Sequence, residues 1–295
     1  MIPIDRDWLA AHPLPPVATD TDKNARGRVL IAGGSSIVPG AIALTGEAAL
    51  RAGAGKIQLA TVAAATIALG VAMPEAAVFG LPANEEGELA EEAGDRLVPL
   101  IGRCDCIVLG PGMGRGSAAA AILGRLLASD EEIGAMVIDA AAIAGARDCA
   151  AALRRHPCKR VMTPHAGEMA GLMDRDEDEV KADPRGIVRE AADRFGAVVI
   201  LKQAQTWVCA PGAEPLRFPG GGPGLATAGS GDVLAGIVGG LLARGTAPED
   251  AAAWAVWLHG EAGRRRGALS GEIGFLAREL PAEVPALIEE ARSAP

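Results

Sequence analysis

Seven short apolar runs, separated by Ala-rich stretches of helical periodicity, restrict what this chain can fold into more than any other feature of it. They read "GRVLIAGG", "GKIQLAT", "AAVFGL", "CDCIVLG", "AMVIDA", "KRVMTP" and "AVVILKQ". Most are apolar throughout rather than alternating with polar residues, the pattern of parallel strands covered on both faces. Between them, "AIALTGEAALRAG", "ELAEEAGDRLVPLI" and "GSAAAAILGRLLAS" carry apolar residues at helical spacing. Repeated βα units of this kind predict an α/β fold, a three-layer α/β/α sandwich around a mostly parallel sheet. A chain of 295 residues, 49% of them hydrophobic, has enough apolar surface to bury such a core. The expectation is one domain over residues 1–295, the first 25 forming an N-terminal extension. The acidic patch "MDRDEDEVKAD" reads as a solvated helix connection rather than a boundary.

In open sheets of this type, ligands sit in the crevice beyond the carboxyl ends of the strands. Five runs end directly in Gly, Pro or polar residues, "VLIAGGSS", "IVLGPGMGRG", "VIDAAA", "VMTPHAGE" and "VILKQAQT", and these ends are expected to line one rim. The net charge of -9 is spread without a basic block, which argues against nucleic acid or an anionic membrane as partner. An anionic ligand must then be held by local dipoles. Aromatics are 3% of residues and Tyr is absent, so stacking platforms for bases are scarce. Five cysteines without C-x-x-C spacing suit a reducing, cytoplasmic setting better than a disulfide framework. Cys104 and Cys106 are expected to alternate along a buried strand. The N-terminus has acids early and no basic-then-apolar order, unlike a signal peptide. The uncharged run from Ile57 to Pro74 reads as a strand followed by a helix, not as a membrane span.

The stretch "PGLATAGSGDVLAGIVGG" concentrates the chemistry. Val233, Leu234, Ile237, Val238, Leu241 and Leu242 fall at helical spacing, while Ala235, Gly236, Gly239 and Gly240 keep another side small, so this helix should pack very close to its neighbours. Its first turn offers unpaired N–H groups, and Gly229 and Gly231 leave room for a phosphate; Gly229, Ser230 and Gly231 form the expected anion hole. Asp232 at that mouth is expected to be held ionised by the helix dipole, close enough to a phosphoryl group to take a proton from a hydroxyl nucleophile. Read alone, the same acid is also what a helix start uses for stability. Lys202, at a strand end, is equally consistent with a phosphate contact or with a side chain snorkelling to water. His165 or Thr163 could cap a helix beginning near Glu168. Asp139 could hold a metal through water or cap the following turn. With four histidines and no H-E-x-x-H, no zinc constellation can be assembled.

Taken together, "GRVLIAGGSSIVPGA", "EAALRAGAGKIQLAT", "MPEA", "LGPGMGRG", "VIDAAAIA", "VMTPHAGE", "VVILKQAQTWV", "GPGLATAGSGDVLAGIVGGLLARG" and "AVWLHGEAG" resemble the ADP- or ATP-dependent NAD(P)H-hydrate dehydratases of the ribokinase-like superfamily, from about Arg26 to about Pro281. The TPH-x-GE motif together with GLAT-x-G-[ST]-GD is specific to that family, whereas GSGD alone would indicate only the superfamily. The resemblance implies a ribokinase-like fold and a substrate, hydrated NADH or NADPH, that is dehydrated at the expense of ADP or ATP. It assigns proton abstraction to Asp232 and hydrate binding to Ala41, Gly114, His165 and Asp232. It assigns adenine-nucleotide binding to Lys202, Gln203, Ala204, Gln205, Thr206 and Gly231. It implies Mg2+ with ligands that the sequence leaves open, a homo-oligomer (dimer or tetramer), and a separate NAD(P)H-hydrate epimerase as companion, since no epimerase domain is present in this sequence.

Three positions depart from the family pattern. Asp139-Ala140-Ala141 stands where an Asp-Ala-Asp-like run is usual, Gly222 where Asn precedes Pro-Gly, and Lys202-Gln203 where Lys-Gly is usual. These bear on turnover and nucleotide preference. Two other readings share the anion hole and base: a ribokinase-like kinase for a small alcohol such as a vitamin precursor, and a nucleotide-binding protein impaired in turnover.

Overall fold

The computed structural model describes residues 1–18, 20–115 and 117–293. The chain opens with β1 (Ile2–Pro3) and α1 (Arg6–Ala11), then alternates β2 (Arg28–Ala32), α2 (Ala41–Arg51), β3 (Lys56–Val62), α3 (Thr66–Ala72), β4 (Ala76–Leu81) and α4 (Ala93–Ile101). It continues through β5 (Cys106–Leu109), α5 (Ala119–Leu127), β6 (Ala135–Ile138), α6 (Ala141–Asp148), α7 (Ala150–Arg155) and β7 (Lys159–Met162). Helices α8 (Ala166–Met173), α9 (Glu177–Ala182) and α10 (Pro184–Phe195) lead to β8 (Val198–Leu201) and the strands β9 (Thr206–Cys209) and β10 (Leu216–Phe218). Three helices close the chain, α11 (Ser230–Ala243), α12 (Pro248–Ser270) and α13 (Val284–Ser293).

All seven apolar runs form strands of a ten-stranded sheet in the order β1-β10-β9-β8-β7-β6-β5-β2-β3-β4. The seven from β8 to β4 are mutually parallel, and only β9 runs against its neighbours. Helices α2, α11, α12 and α13 pack together on one side, α4 to α8 on the other, giving the expected three layers. The strands β1 and β10 escaped the sequence reading because they are two and three residues long; β9, four residues long like β5 to β8, escaped it as well. Residues ahead of Arg26 are tied to the body: Ile2 and Pro3 pair with Leu216 and Arg217, and the Trp254 indole donates to the His12 carbonyl at 2.7 Å. Among the described residues no helix is long and apolar enough to cross a membrane. The run Ile57 to Pro74 contains most of β3 and all of α3, as expected. Cys104 and Cys106 are both buried, but β5 begins only at Cys106; Cys104 lies in the preceding turn, its thiol against the Ile101 carbonyl.

Register positions the site. Ala32 pairs with Leu109, Leu109 with Ile138, and Ile138 with Met162, so the next residues, Gly33, Gly110, Asp139 and Thr163, reach one level at the rim. His165 bridges to Lys202 one strand further on. The strand order reverses between β2 and β5, where the crevice of a doubly wound sheet opens. The two glycine loops meet there: a Cβ on Gly33 would lie 2.2 Å from the Pro111 carbonyl oxygen, and one on Gly112 would lie 2.7 Å from the Cβ of Ala41. Gly116, last in the "GPGMGRG" loop, lies outside the described residues.

Helix α11 is buried on almost every side, between the sheet and α2. A Cβ on Gly236 would stand 2.2 Å from the Thr45 carbonyl oxygen, and one on Gly240 2.5 Å from that of Ala49. The glycine stripe therefore brings two helix backbones into contact and holds the start of α11 at a fixed depth in the rim.

Candidate active site

The start of α11 is built by a turn that only glycine takes easily. Gly229 occupies the cap position at φ 88°, where no side chain caps the helix. The Ser230 N–H closes onto the Thr227 carbonyl at 3.2 Å, while the N–H groups of Gly229, Gly231 and Asp232 have no protein acceptor among the described residues. This corrects the expected anion hole: the Ser230 amide is used by the turn, and the free donors are those of Gly229, Gly231 and Asp232. The missing side chain at Gly231 matters as well, because the Lys202 ammonium lies 3.3 Å from where its Cβ would be.

Lys202 turns inward rather than snorkelling to solvent. Its Nζ lies 3.2 Å from Asp139 Oδ1 and 3.9 Å from Glu168 Oε2. Burial alone would pull its pKa down, but Asp139, Glu168 and Asp232 together outweigh burial and raise it, so the ammonium stays charged. Asp139 does not cap α6, whose cap residue is Ala140 without a side-chain bond. Its carboxylate instead accepts from Thr163 Oγ1 at 2.5 Å and from Lys202. Ala140 is held at φ 46°, a left-handed conformation that costs a residue with a side chain about 1–3 kcal/mol and fixes the direction in which Asp139 leaves β6.

Asp232 meets opposing influences that the sequence does not reveal. Burial raises its pKa to about 7, the nearby Asp139 adds to the rise, and Lys202 opposes it. Desolvation and the like charge of Asp139 thus outweigh the attraction of Lys202. A carboxyl group titrating near neutrality is a better proton acceptor than an ordinary aspartate, because its basicity matches the working pH.

The other hydrate-binding candidates lie along the same rim. His165 caps α8: its Nδ1 accepts from the N–H groups of Gly167 and Glu168 at 3.0 and 3.2 Å, and Glu168 Oε2 accepts from the His165 N–H at 2.8 Å. Thr163, the other proposed cap, is committed to Asp139. His165, Gly114 and Glu168 line a cleft of about 1010 Å³ together with Arg115, Ala140 and Ala141. Asp232 is not among its lining residues, whereas Glu168, 3.9 Å from the Lys202 ammonium, is. Ala41 begins α2 and is buried against the Gly112 turn, at the edge of this region.

The Lys202 to Thr206 segment is the β8–β9 turn, with Ala204 and Gln205 exposed and Thr206 opening β9. It packs on the glycine loop ahead of α11, where a Cβ on Gly220 would meet the Ala204 carbonyl oxygen at 2.1 Å. Of the five residues, Lys202 reaches the start of α11; the Gln203 side-chain nitrogen is buried without a protein partner. Gly222, a departure from the family pattern, sits at φ 98° and ψ 165°, a conformation essentially reserved for glycine. Among the described residues no cluster of three His, Cys, Asp or Glu side chains is arranged to hold a metal.

Two residues were missed by the sequence reading. Glu88, 7% exposed in the β4–α4 connection, accepts from the Gly114 N–H at 2.8 Å and fills the space a Gly114 side chain would need. Only tertiary structure brings it there, across 26 positions of sequence. His259 on α12 approaches Ser230 with its Nε2, 2.9 Å from Oγ and 3.0 Å from the carbonyl oxygen. Its signal was present in the "AVWLHGEAG" segment, without a role attached.

Comparison with known proteins places this arrangement. Residues 29–285 match the family model described as NAD(P)H-hydrate dehydratase. The chain is 45% identical over 284 residues to the ADP-dependent (S)-NAD(P)H-hydrate dehydratase of Xanthomonas campestris pv. campestris, covering 95% of this chain and 94% of that protein. It is 35% identical to the bifunctional NAD(P)H-hydrate repair enzyme of Moorella thermoacetica, covering 92% of this chain and 51% of that protein. The fold matches the Bacillus subtilis ADP/ATP-dependent NAD(P)H-hydrate dehydratase co-crystallised with ATP/Mg2+, with a TM-score of 0.81, 24% identity and 98% of each chain covered. The match of residues 29–285 to the family model and the 45% identity over nearly the whole of both chains leave one assignment for this glycine-lined helix start and its fold: the chain belongs to the NAD(P)H-hydrate dehydratase family.

Proposed function

We propose that this chain catalyses the ADP-dependent dehydration of (S)-NAD(P)H-hydrate to NAD(P)H, releasing AMP and phosphate. The observation that carries the reading is Asp232: a half-buried carboxyl group with its pKa raised to about 7, at a helix start whose free amides and neighbouring Lys202 can receive a phosphoryl group. The ADP preference follows the description of the Xanthomonas relative.

Hydroxide is a poor leaving group, so phosphorylating it first lowers the barrier to its departure. Asp232 takes the proton of the ring hydroxyl as that oxygen bonds to the β-phosphorus of ADP and the bond to AMP breaks. The amides of Gly229, Gly231 and Asp232, with Lys202, stabilise charge on the moving group. The ring nitrogen lone pair then expels phosphate, and loss of a proton from the neighbouring ring carbon restores the dihydronicotinamide. Magnesium bound to the nucleotide phosphates would neutralise part of their charge. In this reading Ala41, Gly114 and His165 hold the hydrate beside the 1010 Å³ cleft, and Lys202 to Thr206 with Gly231 hold the nucleotide.

We assign the chain to a reducing cytoplasm, in keeping with its five free cysteines, and to a single domain over residues 1–295. An epimerase is its proposed companion activity, in keeping with the relatives described as bifunctional NAD(P)H-hydrate repair enzymes, about half of whose length this chain matches. A homo-oligomer is supported by Ile67 and Val71 of α3, 82% and 80% exposed beside the edge strand β4.

The test is recovery of dihydronicotinamide absorbance from hydrated NADH with enzyme, magnesium and either ADP or ATP. Recovery with ADP supports the reading. No recovery with either nucleotide, or accumulation of a stable phosphorylated alcohol, refutes it.

A further inference from the structure

His259 has no place in the reaction as set out above, yet its imidazole touches the one residue of the GSGD turn whose amide is already committed. Nε2 lies 3.0 Å from the Ser230 carbonyl oxygen and 2.9 Å from Ser230 Oγ. A carbonyl oxygen carries no hydrogen, so the hydrogen in the first contact must sit on Nε2. That fixes the tautomer, and it also decides the second contact: Oγ faces an N–H and accepts from it. The serine hydroxyl hydrogen is then left free, and no other side-chain bond of Ser230 exists among the described residues. Ser230 is 5% exposed and immediately precedes the free amides of Gly231 and Asp232.

We propose that His259 is a positioning residue for phosphoryl transfer: its Nε2–H, anchored on the Ser230 carbonyl, turns the Ser230 hydroxyl hydrogen into the anion hole, where it donates to an oxygen of the migrating phosphoryl group. The proposal rests on the dehydratase reading and deepens it. Ser230 thereby replaces, through its hydroxyl, the donor that its amide gives up to Thr227. Burial supports the arrangement by lowering the His259 pKa to about 4; the bond to the Ser230 carbonyl opposes that shift and Lys202 adds to it. The ring is therefore neutral at neutral pH and keeps a single N–H. In the other tautomer the Nε2 lone pair would face the carbonyl oxygen, and the serine hydrogen would be consumed by the ring.

Three variants and one spectrum test this. His259→Leu is expected to lower kcat about a hundredfold while the dissociation constant for ADP changes less than about threefold. Ser230→Ala is expected to lose a similar factor, and the double variant no more than either single one, because both remove the same donor. His259→Gln, which can present an N–H at comparable reach, is expected to recover at least about tenfold of the loss. Additive losses, a higher KM with kcat intact, or no recovery in the Gln variant would overturn the proposal. A long-range 1H–15N spectrum of the 15N-histidine-labelled wild-type protein reads the tautomer directly, whether or not the Leu variant folds. A His259 ring protonated on Nε2 is expected, and one protonated on Nδ1 overturns the proposal. The spectrum does not depend on turnover, so a wild-type protein inactive on hydrated NADH would count against the dehydratase reading and leave the hydrogen assignment standing.

Discussion

Asp232→Asn should cost activity and return stability, and the two effects should separate with pH. An ordinary aspartate ionises at 3.8, and Asp232 in the folded chain at about 7. Between those values the folded protein holds a proton that the unfolded chain has lost, so stability falls as pH rises from about 4 to about 7, and the penalty is complete above the folded pKa. Over that interval of about three pH units, at about 1.4 kcal/mol for each, the penalty grows to about 4 kcal/mol at pH near 8. Burying an asparagine amide with imperfect partners gives back about 1–2 kcal/mol. The variant should therefore be more stable than wild type by about 2–3 kcal/mol at about pH 8, which in a chain of this size raises Tm by about 5 °C. At about pH 4, where the ionisation penalty has nearly gone and the cost of the buried amide remains, the variant should be less stable than wild type by about 1 kcal/mol. Urea or thermal melts of both proteins at the two pH values measure this, while turnover falls by about 10²–10⁴ and ADP still binds. An asparagine variant no more stable at about pH 8 than at about pH 4, relative to wild type, would refute the claim that burial sets the basicity of this carboxyl group.

Asp139→Asn removes a negative neighbour that pushes the Asp232 pKa up, so the ascending limb of the kcat/KM profile should move to lower pH in a pH-rate series. Gly236→Ala places a methyl group against the Thr45 carbonyl oxygen and should destabilise by about 1–3 kcal/mol despite alanine's higher helix propensity. Gly171→Ala on α8, where nothing lies within 4 Å of the new Cβ, should stabilise by about 0.5–1 kcal/mol; denaturant titrations of the pair test the packing argument. Glu88→Ala leaves the Gly114 amide unpaired and should raise the KM for the hydrate more than it lowers kcat, with Glu88→Gln recovering much of the loss in the same assay.

What could be read from the sequence follows from which interactions are local. Apolar runs and helical spacing are properties of neighbouring residues, so all seven long strands, the close packing of α11 and the shared rim of five strand ends were visible in it. Asp232, Lys202 and His165 could be nominated because strand ends and glycine turns announce themselves in order along the chain. Their states could not, because each is set by groups distant in sequence. Asp232 meets Asp139 and Lys202 only after β6 and β8 come to nearby ends of the sheet, and its burial there, with the charge of Asp139, raises its pKa. Glu88 and His259 follow the same rule, one reaching Gly114 from 26 positions away and the other reaching Ser230 from 29. A helix start can thus be nominated as an anion site from four residues, but the direction of each hydrogen in it depends on the layer packed behind it. In this chain that layer is α12, and the relevant atom is the Nε2 of His259.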